Sequence, residues 1–318
     1  MEENKKKRSP IYWILLTFFG VVFLVCAVWV GKYLLEGYNN RNMQEDLQDM
    51  KGPTSSICTD PTTRPSGTTV PTDPTHSTGG AEDPTQSTGS QVILPTEEST
   101  VTPTAPTQPP QILEEYQSLY ERNKHMVGWI YIPGTSNAYQ GFSGIDYPVV
   151  QTPNTTQWQN YYLYRDFDGN DSDHGWLYVR EACDVNKPCD NIVIYGHNMA
   201  DGTMFGQVVN YRNKSYYEEH KYIAFDTLYE HHTYEIIAVF TTSGTTGVGY
   251  PYHSQNDFAT EEAFDAFIAA IKGGASNVYT YYNIETTATY GDKLITLSTC
   301  WTQIYGDGRL VVVAKQIN

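Results

Sequence analysis

Twenty consecutive residues, Ile11 to Val30, carry no charge and read IYWILLTFFGVVFLVCAVWV. Coiled as one α-helix they reach about 30 Å, the thickness of a bilayer's hydrocarbon core. A buried core helix would need partner elements around it, and no such elements flank this run. Lys5, Lys6, Lys7 and Arg8 precede it. Positive charge stays on the cytoplasmic side, so residues 1–10 are expected in the cytoplasm and everything after Lys32 outside the cell. A cleaved secretory signal would have a shorter apolar stretch ending in a small-x-small site, whereas this run ends Val28-Trp29-Val30. The expectation is an uncleaved single-pass anchor in the cell membrane, followed by a juxtamembrane segment, 31–50.

Residues 51–110 have a different chemistry. They hold 11 of the chain's 17 prolines, 16 threonines and no aromatic side chain. Asp73-Pro-Thr-His-Ser-Thr-Gly79 is repeated in near copy as Asp83-Pro-Thr-Gln-Ser-Thr-Gly89. Such a stretch has too little apolar surface to offset the entropy of ordering, so it is expected to be a disordered or polyproline-like linker. As a flexible coil it would span about 40–45 Å and could serve as a stalk between membrane and domain.

The folded domain is expected over residues 111–318. The chain's net charge of −16 divides into 0 for residues 1–50, −4 for 51–110 and −12 for 111–318. An acidic body repels phosphate backbones, which argues against nucleic-acid binding, and it favours amine partners over anionic wall polymers. Most of the 26 tyrosines also lie in this part, which suits a β-rich body. Eight short β-rich runs follow one another: 128–132, 147–151, 176–180, 191–195, 222–225, 234–241, 293–298 and 310–314. They suggest a mostly antiparallel barrel or sandwich. Two helices are expected around them. Ile112–Lys124 places Ile112, Tyr116, Leu119 and Tyr120 on one face. Thr260–Lys272 has Thr260 as N-cap, an apolar face of Phe264, Phe267, Ile268 and Ile271, and Gly273-Gly274 as its stop.

Three residues stand where strands end. Cys300 closes the run Lys293-Leu-Ile-Thr-Leu-Ser-Thr-Cys300, and a thiol at a strand exit can meet a ligand. His197 follows the strand 191–195 after Gly196, and imidazole is the side chain best suited to exchanging a proton with a thiol near neutral pH. Arg309 opens the next strand after Cys300; a guanidinium there can hold a carbonyl or an oxyanion. The five cysteines, Cys26, Cys58, Cys183, Cys189 and Cys300, form no CxxC pair, so a zinc knuckle or thioredoxin-type site is unsupported. Cys183 and Cys189, six apart, are either a short-loop disulfide or two free thiols. No EF-hand-type calcium loop is present.

Tyr195-Gly-His-Asn-Met199, Thr296-Leu-Ser-Thr-Cys300 and Arg309-Leu-Val-Val313 together resemble the His, TLxTC and Arg motifs of sortases, in the same order. The stretch from Tyr195 to Phe205, the helix ahead of the first strand and the helix before the Cys strand are similar to class B sortases. The resemblance implies a closed β-barrel of about eight strands and a cysteine transpeptidase without a metal or organic cofactor. Cys300 would be the nucleophile, His197 the acid and base, and Arg309 the anion-holding group. Ser298, Thr299 and Asn198 would line the peptide groove. Partners would be a sorting-signal peptide, cut after Thr, and an amine of a peptidoglycan precursor or a pilin lysine. The loop 241–258 would help to read the signal.

Other readings fit less well. A papain-like hydrolase places its Cys ahead of its His, whereas His197 here precedes Cys300 by 103 residues. An L,D-transpeptidase carries its Cys in a Ser-x-Gly-Cys-type context, absent around Cys300. A non-catalytic surface binding protein on a stalk would have no use for the intact His, Cys and Arg set.

Overall fold

The computed structural model describes residues 10–51, 110–135, 144–185, 189–302 and 306–318. The linker repeat, His76 and Cys58 lie outside the described residues.

The chain begins with one long helix, α1 (Pro10–Lys51). Its apolar stretch has a mean hydropathy of 2.6 and is wholly exposed, so it is long and apolar enough to cross a membrane. The helix does not stop at Val30. It continues unbroken through the juxtamembrane segment, and there Gly37, Asn40, Gln44 and Leu47 are buried. Their spacing of three, four and three residues draws a single stripe along the helix. That stripe lies on the barrel. Gln44 Nε2 donates to the Gly144 carbonyl at 3.0 Å, and Gln48 Nε2 donates to the Asp146 carbonyl at 3.0 Å. Lys51 Nζ sits 4.5 Å from the Trp129 ring centroid, and burial lowers its pKa.

A second helix, α2 (Glu114–Arg122), packs beside α1 with Tyr116 and Leu119 buried. Arg122 Nη1 meets Asp46 at 2.6 Å across the pair. The strands then follow: β1 (Met126–Ile132), β2 (Ile145–Val150), β3 (Tyr178–Val179), β4 (Asn191–Tyr195), β5 (Tyr222–Thr227), β6 (Thr233–Ser243), β7 (Tyr279–Thr280), β8 (Leu294–Cys300) and β9 (Gly308–Gln316). Hydrogen bonding runs β5-β1-β2-β3-β4-β8-β9-β6, and β6 pairs back onto β5. Eight strands therefore close a ring with no free edge. The ring contains all eight expected runs. The two-residue β7 adds to the far end of β6, beyond its pairing with β5.

Most neighbours are antiparallel, but β2–β3 and β4–β8 are parallel. A parallel pair needs a long connection. The one from β4 to β8 carries β5 and β6, α3 (Lys214–Glu219) and α4 (Glu261–Ala269). Helix α4 sits where the late helix was expected. Thr260 caps it by accepting from Ala263 N at 3.3 Å, and Phe264, Phe267 and Ile268 are buried. Each such burial contributes roughly 1.5–3 kcal/mol. Gly273 takes a φ of 99°, which Gly adopts without strain, and the chain leaves the helical run there.

The loop after β4 also touches α1. A Cβ at Gly37 would stand 3.0 Å from Asp201 Oδ2, and His174 Nε2 lies 3.5 Å from the same carboxylate. Burial raises the Asp201 pKa, but the adjacent His174 and hydrogen bonds from Thr203 N and Oγ1 outweigh it and hold the group at about 2. The folded pKa is thus below the unfolded value of about 3.9. Its contribution to stability is present above about pH 4 and is lost as the pH falls toward 2. Acid melts should therefore steepen over that window, and Asp201→Asn should flatten them. Equal acid slopes in parent and variant would show that Asp201 contributes nothing.

Candidate active site

The register of the barrel brings the three strand-end residues to one rim. In the antiparallel β8–β9 pair, Cys300 lies directly opposite Arg309. In the parallel β4–β8 pair, Tyr195 is level with Ser298. His197, two residues beyond Tyr195, therefore emerges level with Cys300, two beyond Ser298. All three side chains are half-buried. On its other side Arg309 is paired with Thr242 of β6.

Backbone and side-chain bonds lock the two strand exits together. Gly196 N donates to the Ser298 carbonyl at 3.2 Å, and Thr299 Oγ1 donates to the Gly196 carbonyl at 2.8 Å. Asn198 Nδ2 donates to the Cys300 carbonyl at 3.1 Å. Gly196 has no room for a side chain, since a Cβ there would stand 2.4 Å from Leu177 Cδ2 and 2.7 Å from the Phe205 ring. Ser298 Oγ shares a hydrogen bond with the Tyr252 hydroxyl at 2.7 Å.

The His197 ring is held from a distant segment. Its Nε2 donates to the Leu163 carbonyl at 2.8 Å, leaving Nδ1 as the nitrogen available to other groups. The exposed Tyr164 ring lies 6.3 Å from the imidazole, centroid to centroid. Arg309 Nη1 donates to the carbonyls of Asp307 at 2.7 Å and Gly308 at 3.1 Å. Asp307 thus orients Arg309 through its backbone. Its carboxylate instead accepts from Ser243 Oγ at 3.0 Å and from Thr245 Oγ1. Those bonds, with that from Thr245 first, lower the Asp307 pKa.

A groove of about 640 Å³ opens over this rim. Cys300, His197, Arg309, Ser298 and Thr299 line it, and the segment 243–254 forms much of one wall. Burial raises the phenol pKa values of Tyr178, Tyr195 and Tyr252, so these side chains stay neutral at the groove wall. Arg180 braces that wall by donating to the His253 carbonyl. Cys183 and Cys189 lie behind it as two buried free thiols that contact each other. Cys300 is the thiol that faces the groove. Leu163, Tyr164 and Arg180 carried no expected role in the sequence, since each reaches the rim only through the closure of the barrel, whereas Gly244 and Tyr252 fall within the expected signal-reading loop 241–258.

A closed barrel that sets a thiol and an imidazole side by side at the ends of two parallel strands, facing a groove, is the architecture of a cysteine transpeptidase. A family model described as the Sortase domain matches residues 142–317. The chain belongs to the sortase family, and within it to the sortase B group. It is 30% identical to sortase B of Staphylococcus aureus (strain NCTC 8325 / PS 47) over 205 residues, covering 64% of this chain and 75% of that protein. The B. anthracis sortase B in complex with AAEK1 superposes with a TM-score of 0.53 at 29% identity, covering 66% of this chain and 89% of that one. The Staphylococcus aureus sortase B–substrate complex gives 0.54 at 28% identity, covering 65% and 87%.

Proposed function

We propose that the protein is a membrane-anchored sortase that cleaves a C-terminal sorting signal after Thr and joins the new carboxyl end to an amine of a peptidoglycan precursor. The observation that carries this reading is the register that sets Cys300 opposite Arg309 with His197 level beside it. The Cys300 thiolate attacks the Thr carbonyl, and the C–N bond breaks to leave a thioacyl enzyme. His197 gives a proton to the departing amine and later takes one from the incoming amine, with Nδ1 as the exchanging nitrogen. Arg309 holds the peptide carbonyl or the developing oxyanion. Ser298 and Thr299 line the groove that receives the peptide, and Asn198 fixes the Cys300 carbonyl. The segment 241–258 contributes to reading the signal.

Helix α1 supplies the anchor, with the N-terminus in the cytoplasm and the enzyme outside. Lys5 to Arg8 favour that orientation. A panel of sorting-signal peptides, offered to the enzyme with wall-peptide amines and with a lysine side-chain amine, tests the reading. Ligated product with a wall-peptide amine supports it. Product with the lysine amine alone would redirect it to pilin assembly, and hydrolysis without ligation would overturn it.

Gly244 provides a test of Arg309. A Cβ there would stand 2.8 Å from Arg309 Cζ and 2.7 Å from the Asp307 carbonyl, so Gly244→Ala must shift the guanidinium. Transfer is expected to fall roughly 10- to 100-fold, the usual effect of misplacing a catalytic group by about 1 Å. An unchanged rate would remove Arg309 from the mechanism.

A further inference from the structure

The docked half of α1 bears on where the enzyme sits. The apolar stretch ends at Val30, and contacts with the barrel begin two residues later. Lys32 Nζ lies 3.4 Å from Asp173, and the Tyr33 ring stacks on His174 at 6.2 Å. One turn further, Gly37 faces Asp201. Gln44 and Gln48 then reach Gly144 and Asp146, Asp46 meets Arg122, and Lys51 ends over Trp129. At 1.5 Å per residue, Lys32 is about 3 Å beyond the apolar stretch and Lys51 about 30 Å beyond it. The barrel segments met first are those around His197: Asp201 is four residues after it, and Asp173 shares a loop with Leu163 and Tyr164.

The ends of the Thr/Pro-rich segment are equally telling. Lys51 Nζ lies 5.7 Å from the Tyr116 ring centroid. Leu113 N is already bonded to the Leu228 carbonyl at 2.8 Å. The chain therefore leaves the enzyme at Lys51 and rejoins it close by, at the end of the barrel face remote from the apolar stretch. A segment with both ends on one body sets no distance between that body and a membrane.

We infer that α1 itself seats the barrel directly on the bilayer surface, with the active-site rim toward the lipid headgroups, and that the distance to the membrane does not depend on residues 52–109. This rests on α1 being the membrane anchor. The occupant of the rim-side surface is then a phospholipid headgroup layer. The exposed Tyr164 ring beside His197 has the chemistry of that layer, an amphipathic side chain suited to the interface.

The full chain in lipid nanodiscs tests this, with native cysteines replaced and a fluorophore placed at Asp173→Cys or at Glu230→Cys. Both positions are exposed, and Glu230 adjoins Asp226 at the Lys51 end. Nitroxide-headgroup lipids should quench the label at 173 and leave the label at 230 near its full intensity. Deleting residues 55–106 should change neither signal. Absence of quenching at 173, or quenching that appears only after the deletion, would overturn the inference. If the cysteine-free chain does not fold, atomic-force height above the bilayer of the unmodified chain and of the deletion replaces the labels. Equal heights are expected, and a lower height after deletion would overturn the proposal. Release of the chain from membranes by alkaline carbonate would instead sink the anchor reading itself, before docking is addressed.

Discussion

Cys300→Ala is expected to abolish both cleavage of a sorting-signal peptide and transfer to an amine, by at least about a thousandfold, or roughly 4 kcal/mol of barrier. Only this thiol faces the groove among the described cysteines. Cys183 and Cys189 are buried and Cys26 is in the apolar stretch of α1. The side chain is half-buried and its carbonyl, held by Asn198, is untouched by the change. The stability cost should accordingly be small, within about 1 kcal/mol. Two measurements are needed: product formation with and without amine, and a melting curve. With the native chain and no amine, intact-mass analysis should find a peptide-sized adduct on Cys300 that hydroxylamine removes. Continued cutting by Cys300→Ala would end the thioacyl mechanism.

Loss of the imidazole should be nearly as damaging. His197→Ala is expected to reduce turnover about 10²–10⁴-fold, the usual contribution of a positioned general acid–base. The variant should bind the thiol-reactive form of a signal peptide with an affinity close to the parent's, because the groove walls are built by other residues. The Leu163 carbonyl makes a second prediction possible within the same experiment. It holds Nε2 at 2.8 Å, so shortening the loop that carries Leu163 and Tyr164 should mimic part of the His197→Ala loss without touching the ring. A His197→Ala enzyme with parental rates would mean that another group moves the proton.

These expectations rest on features that were unequally visible in the chain. The strands were legible because a closed barrel keeps β-branched and aromatic residues in short runs between turns, and all eight runs became ring strands. Helix α4 was legible because its cap, apolar face and glycine stop agree with one another. The ends of α2 moved inward from 112–124 to Glu114–Arg122, since flanking residues bond to other segments, Leu113 to Leu228 and Asn123 Nδ2 to Tyr162 and Phe167. The seating of α1 was not legible. Its buried stripe is Gly37, Asn40, Gln44 and Leu47, three of them not hydrophobic, so no apolar periodicity marks it. Polar side chains there bond to carbonyls about a hundred residues away, and nothing local announces that.

By itself, the sequence determined the apolar run long enough to span a bilayer, the composition break at residues 51–110, the strand runs and the identities of Cys300, His197 and Arg309. These are local properties: charge, hydropathy and residue type over a few turns or strands. Tertiary structure alone decided the pairing. It set Cys300 opposite Arg309, placed β4 parallel to β8, brought Leu163 to the imidazole and laid α1 along the barrel. The physical reason is that register and closure depend on hydrogen bonds between segments 9 to about 140 residues apart, and a linear pattern holds no record of which distant backbone groups will meet.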